Sequence, residues 1–513
     1  MNRNHENTTP LRALSAALAL ALALGAAPAG AAPAAPGDDA IRAAKHAVET
    51  YRTDVVDTLA KLVGFNTVAA RDIPCERNPV HGAFKAYLKE EAARLGLDFS
   101  DQGCVVIVGL GDGAEKVGLI AHGDVQPVDA SKWKASPFVL DRASEPGKLL
   151  ARGAEDDKGP IATALYAMKA LKDLQLPLSK RIELYVYMAE ESDWGPLEAF
   201  VKDHPLPEVN VTLDAEYPAV TAEKGYGTIA LTVPALSAAV DDGSPWILAF
   251  KGGFFDSQVP EDAQALVVNA TPALEAQIRQ RGARQAGMRY GFEWQDRNLL
   301  VTAKGLSAHS SKPEEGVNAI AMLADALAVR PWPQTTAGAL VGLLNDLVGT
   351  GHYGEKFGSI AYRDAFMGPM TVAPTVIREQ ADGLQLSINI RRPQGKTGQQ
   401  LSNEINAALA QWQGAHVQLA RTDVSIGEPW VQTDAPQLPV LLKVFSHFTG
   451  IKDPKPVAIG GGTNSRLFPR AVSFGPAMPH TVYTGHSEHE FITVKQLMLN
   501  LEMYTAVMAE LAR

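Results

Sequence analysis

Thiols are almost missing from this chain of 513 residues: Cys75 and Cys104 are its two cysteines, and they do not form a CxxC pair. That argues against a metal site built on cysteine. In an oxidising compartment the two could join; otherwise they are separate buried thiols, and sequence spacing leaves both readings open. Positive charge is also short. Lys and Arg number 47 against 57 Asp and Glu, a formal net charge of -10. There is no basic excess to neutralise phosphates, so nucleic acid is excluded as a partner. The apolar run from Ala13 to Gly25 falls short of the ~20 residues a membrane-spanning helix needs. With Arg3 and Arg12 ahead of it and Ala29-Gly30-Ala31 behind, it has the layout of a signal peptide that is cleaved off. Residues 1–37 are therefore expected to be signal peptide and leader. The protein is expected to be exported to the periplasm or the exterior, with no stable membrane insertion after cleavage.

What is present is an ordinary globular composition, 46% hydrophobic and 20% charged, on a chain too long for one core. Val117 to Ala121 is a continuous apolar run, as in a strand buried on both faces. Ile182, Leu184, Val186 and Met188 alternate with polar and aromatic residues, a second strand, and Val209 to Leu213 is a third. Helices are predicted at 39–62, 159–174 and 494–511, the last with Leu497, Leu501, Tyr504, Met508 and Leu511 on one face. This alternation predicts an α/β fold with a mostly parallel sheet and helices on both faces. From about Gly225 the pattern turns antiparallel, with strands at 228–234, 246–251, 299–304 and 384–390 and helical stretches around 260–269 and 316–328. The expected plan is a catalytic domain in two parts, 38–223 and 424–513, interrupted by an inserted α+β domain, 224–423.

His122, Glu190 and Asp214 each follow a different predicted strand. Ligand sites in open α/β sheets form at the carboxyl ends of strands, so clusters far apart in sequence converge there. The stretch AEDDKG at 154–159, the pair Glu190-Glu191, and His486 add further oxygen and imidazole donors without a thiol. That is the donor set of a hydrolytic two-metal centre, in which one carboxylate bridges two ions that share a water. Asp124, two residues after His122, is placed to accept a hydrogen bond from the imidazole and fix its tautomer. Taken singly, each piece has a plainer reading: a solvated turn for 156–158, a helix cap for 190–193, a polar loop around His480, His486 and His489.

Together the motifs resemble the two-zinc peptidase family of aminoacylases, glutamate carboxypeptidases, desuccinylases and dipeptidases, and most of all its bacterial PepV-type and carnosinase-like branch. They are AHGDVQPV at 121–128, ARGAEDDKGP at 151–160, AEESDWG at 189–195, LDAEYP at 213–218, GLSAHSSKPEEGVNA at 305–319, INIRRPQG at 388–395, GGGTNSR at 460–466 and GHSEHEFI at 485–492. The resemblance implies two zinc ions per subunit, with manganese or cobalt as substitutes for the same ligands. It makes Asp156 the bridging ligand, His122 and Asp214 the other ligands of one ion, and Glu191 and His486 those of the second. Glu190 becomes the general base, Asp124 the residue orienting His122, and the Asp156–Asp157 peptide cis. The inserted domain becomes a lid. Its His309 supports the oxyanion, and its Arg391 binds the substrate's C-terminal carboxylate. Gly461, Gly462 and Thr463 form a turn that lets backbone approach the substrate. The implied activity is a dipeptidase acting on short peptides. The alternatives are an N-acyl amino acid amidohydrolase or carboxypeptidase of the same family, and a metal- or peptide-binding protein without catalysis. A lid of this length folds over its own site, which favours a monomer over the dimer of short-lid relatives. Two positions depart from the branch pattern: Ser257 stands where Asn is usual, and His489 where Asn is common near the final ligand.

Overall fold

The computed structural model describes residues 35–236 and 243–513. The expected signal peptide, residues 1–34 of the predicted leader, lies outside the described residues. Among the described residues no helix is long and apolar enough to cross a membrane.

Among the described residues the first sheet has nine strands, one of which, Val457–Ile459, branches off alongside Val220–Glu223. At its centre Arg181–Tyr187, Lys116–His122, Val209–Thr212 and Val472–Ser473 run parallel. Antiparallel strands finish both sides: Asp98–Gln102 and Val105–Leu110 on one, Val220–Glu223 and Trp430–Val431 on the other. The central strands are buried along nearly their whole length, as their apolar runs require. Helices Asp38–Val63, Lys158–Asp173 and Val494–Leu511 pack on one another and share one apolar core with the sheet. A disulfide joins Cys75 to Cys104 with the Cα atoms 5.5 Å apart, which decides between the two cysteine readings. It ties the segment before helix Pro79–Leu95 to the start of strand Val105–Leu110.

Among the described residues the inserted domain is built on an eight-stranded sheet with its own core. Its strands pair antiparallel throughout. The chain enters it at strand Gly225–Pro234 and leaves after strand Arg421–Ile426, which lie side by side. The exit is therefore a few residues later than the expected 423, because the edge strand keeps pairing to Ile426. One expected helix is a strand: 260–269 forms Asp262–Val268. Helix-forming Ala, Gln and Leu in this stretch favour a helix. Ala263, Ala265 and Val267 are nevertheless buried in alternation with more exposed neighbours, and that two-residue period decides the conformation.

Candidate active site

His122 is the last residue of its strand, and Ala189 to Glu191 and Asp214 lie just beyond the ends of the two strands that flank it in parallel. Parallel neighbours end on the same side, so the three groups meet. His122 Nε2 lies 2.7 Å from Asp156 Oδ1 and 3.8 Å from Asp214 Oδ2. The other oxygen of Asp156 lies 3.2 Å from His486 Nε2, which is 2.9 Å from Glu191 Oε1. Asp156 thus sits between two imidazoles. The Asp156–Asp157 peptide is cis, as the resemblance implied.

The supports of this cluster are buried and polar. The Glu490 carboxylate accepts the N–H groups of Gly153, Glu155 and Asp156 at 2.9 to 3.1 Å and pairs with Arg152 at 2.8 Å. It therefore fixes the backbone that carries Asp156. Asp124 has partners beyond the expected imidazole. Its carboxylate accepts the N–H groups of Glu190 and Glu191 at 2.9 and 3.0 Å. His122 Nδ1 lies nearer the main-chain oxygen of Asp124, at 3.1 Å, than its carboxylate, at 3.5 Å. Asp124 thereby holds the strand end bearing both glutamates as well as the imidazole. Gln126 Nε2 donates to Glu191 Oε2 at 2.8 Å, leaving Oε1 for His486. The Tyr483 hydroxyl donates to Asp156 Oδ2.

The electrostatics of the cluster call for a cation. Burial opposes ionisation of Asp156, yet the two imidazoles hold its carboxyl well below the usual range. Burial pushes Asp214 well above that range, and the Asp156 charge adds to the rise. Burial also raises Glu190; His122 opposes this, while Asp214 and Glu191 reinforce it. Burial alone would lower His486, but Glu191 and Asp156 carry it up to about 10. So many carboxylates in so little water cannot all be charged without compensation, and a divalent cation would supply it. The described residues offer two donor sets with ligand atoms within 4.8 Å of one another: His122, Glu190 and Asp214, and His122, Asp156 and Glu191. Imidazole and carboxylate without thiolate suits zinc. A further grouping, Cys75, Glu76 and Cys104, is closed by the disulfide.

These residues line a cavity of about 620 Å³ between the two domains. From the lid come His309 and Arg391. The main-chain N–H of Ser311 donates to His309 Nδ1 at 3.1 Å, so Nδ1 is an acceptor and Nε2 carries the hydrogen. Burial keeps this ring neutral, far below the ordinary histidine value. Arg391 is buried, with Nε donating to Asn389 Oδ1 at 3.0 Å and Nη1 to the Gly460 oxygen at 3.3 Å. Its guanidinium lies over the Tyr226 ring at 4.8 Å. Burial lowers it to about 10, still cationic at neutral pH. Among the described residues no carboxylate pairs with it, whereas Arg466 in the same cavity is paired with Glu223 at 3.0 Å.

Gly461, Gly462 and Thr463 line the cavity. The tight approach in this turn is at Gly460, where an added Cβ would stand 2.6 Å from the Ser311 oxygen; Gly461 and Gly462 have room. Thr463 donates its hydroxyl to Glu223 at 2.6 Å, so that hydrogen is not turned toward a substrate. His489 points away, exposed and 2.6 Å from Glu145, which leaves His486 as the imidazole in the cluster. Ser257 Oγ lies 3.2 Å from His486 Nδ1. The serine that stands at the usual Asn position thus has the His486 imidazole as a partner. Sequence reasoning singled out Ser257 only as a departure from the branch pattern and did not mark Gln126, Tyr483 or Arg466 as site residues. Gln126, Arg466 and Tyr483 lie in or just beside quoted motifs, and only contacts across the fold give them their partners.

Residues 118–510 match peptidase family M20/M25/M40. The chain belongs to that family. It is a metallopeptidase, a hydrolase acting on peptide bonds, and family M20 is in general zinc-dependent. The Beta-Ala-Xaa dipeptidase of Lactobacillus delbrueckii subsp. lactis is 29% identical over 486 residues, covering 91% of this chain and 98% of that protein. Human carnosine dipeptidase 1 shares the fold at a TM-score of 0.56 and 14% identity, covering 93% of this chain and 99% of that one. The dipeptidase Dug1p of Saccharomyces cerevisiae does so at 0.56 and 14%, covering 92% and 98%.

Proposed function

We propose that this protein is an exported, metal-dependent dipeptidase that hydrolyses the peptide bond of short peptides with an activated water. The observation that carries the reading is Asp156 set between His122 and His486, with Glu190 beside them, in one cavity with Arg391, which pairs with no carboxylate among the described residues. The dipeptidase names of the family relatives support the substrate size. His122, Asp156 and Asp214 would hold one ion, and Asp156, Glu191 and His486 the other. Ions bound there lower the pKa of a shared water and polarise the scissile carbonyl.

The chain's own residues do the rest. Arg391 receives the substrate's C-terminal carboxylate, because a guanidinium with free N–H groups takes both oxygens at once. Glu190 accepts a proton from the water as its oxygen attacks the carbonyl carbon, then delivers that proton to the leaving amine. His309 Nε2–H donates to the oxygen as negative charge develops on it. The His309 and Arg391 that serve this site come from the same chain, which supports a monomer as the working unit. The Cys75–Cys104 bond favours an oxidising compartment, in keeping with the N-terminal Arg3, Arg12 and apolar run. Mass spectrometry of the mature N-terminus tests export, and an intact Met1 in the periplasmic fraction refutes it.

The function is tested by amine release from dipeptides, tripeptides and N-acetyl amino acids, with added zinc and after chelation. Chelator-sensitive cleavage of dipeptides is expected. Glu190→Gln should keep its metal and lose at least ~100-fold in rate, the scale of a general base. Cleavage of the acylated compounds alone, or a near wild-type rate in the variant, refutes the proposal.

A further inference from the structure

One imidazole of the cluster is held from the opposite domain. His486 belongs to the closing part of the catalytic domain. Its Nδ1 lies 3.2 Å from Ser257 Oγ, and its main-chain oxygen accepts a hydrogen bond from Gln258 Nε2 at 3.0 Å. Ser257 and Gln258 are lid residues. Strand Gln258–Val259 pairs with Ala308–His309, and the Ser310 N–H donates to the Ser257 oxygen at 2.8 Å. The hydroxyl, the amide and the His309 ring therefore form one small unit, and that ring lies 4.6 Å from the ring of His486. Gln258 and His486 are 3% and 6% exposed, so water has little access to replace these bonds. His486 also has a φ of 65°, a left-handed backbone uncommon for a residue with a side chain. The lid bond to its carbonyl helps to hold it there.

Since His486 Nε2 faces Glu191 and Asp156, Nε2 is the atom turned toward an ion and Nδ1–H donates to Ser257. A partner on the far nitrogen sets the tautomer and the orientation of a ligating imidazole. We propose that Ser257 is a positioning residue for His486, so that docking of the lid completes the ion site formed by Glu191, Asp156 and His486. The proposal rests on the metal-centre reading above. Among the described residues the site formed by His122 and Asp214 has no such lid contact, and it should not depend on Ser257.

The test is titration of the metal-free full chain with Zn2+ against a competing chelator, and with Co2+ by visible absorbance. Wild type, Ser257→Ala and Ser257→Thr are compared. Wild type should take up two equivalents. Ser257→Ala should bind one equivalent as before and the other ~10–100-fold more weakly, the usual effect of losing such a support. Ser257→Thr, which keeps the hydroxyl, should restore the weaker site. Thermal unfolding of the three metal-free proteins should coincide. Two equivalents with unchanged affinities in Ser257→Ala overturn the inference and leave the metal centre standing. Equal weakening in Ser257→Ala and Ser257→Thr also overturns it, because the hydroxyl is then not the cause. Fewer than two equivalents in wild type overturns the metal-centre reading and the inference with it.

Discussion

Replacing Arg391 with methionine should abolish the preference for substrates that end in a free carboxylate. The guanidinium carries five N–H donors. One is engaged by Asn389 Oδ1 at 3.0 Å and another, weakly, by the Gly460 oxygen at 3.3 Å. Three remain, and a two-pronged bond to a carboxylate uses two. Hydrogen bonds to charged groups are worth ~1.5–3 kcal/mol each. Part of the sum is offset by stripping water from the substrate. A net loss of about 3 kcal/mol follows, or ~100-fold in kcat/KM. The assay is kcat/KM for one dipeptide and for its C-terminal amide, in wild type and in Arg391→Met. Wild type should favour the free acid by ~100-fold; the variant should treat the two within a few-fold, through loss on the acid alone. Arg391 is 4% exposed and has no acidic partner among the described residues, so its removal strands no charge and the unfolding midpoint should not fall. A folded variant that keeps the full preference refutes the assignment.

Two further outcomes concern stability. The Cys75–Cys104 bond closes a loop of 29 residues. Loop-closure entropy then gives it roughly 3–4 kcal/mol, so Cys75→Ser/Cys104→Ser should unfold at lower urea, and reduced wild type should match it; identical midpoints contradict the pairing. Glu155 is buried, and burial raises its carboxyl from 4.5 to about 8, against the opposing bonds from Thr484. Between those pH values the folded chain holds a proton that the unfolded chain has released. The contribution is therefore complete below about 4.5 and is lost as pH rises through about 8. In metal-free protein, urea midpoints of wild type should fall relative to Glu155→Gln across that window, and parallel curves would contradict the assigned burial.

The convergence of His122, Glu190 and Asp214 was legible because each closes a recognisable strand, and the three strands are parallel neighbours. The periodicity of Ile182 to Met188 and the apolar run at 117–121 carry that information locally. What depends on distance was not legible. Cys75 and Cys104 could be joined or apart until their Cα atoms were placed. His486 and His489 were separated by motif alignment alone until one was found against Glu191 and the other against Glu145. The 260–269 stretch misled because its side chains favour a helix, while its neighbours in the sheet, Trp246–Gly252 and Asn298–Lys304, impose a strand. The bond from Ser257 to His486 joins residues 229 positions apart on different domains, and no local pattern encodes it.

The lid enters and leaves through neighbouring strands, Gly225–Pro234 and Arg421–Ile426. Just outside them the two crossings touch. A side chain at Gly225 would run into the carbonyl of Gly427, and Arg392 Nε donates to that same oxygen at 2.8 Å. The same arrangement makes the insert a cassette. Its ends lie together, so the catalytic domain could accept a lid of another size without redrawing the sheet that carries the metal ligands.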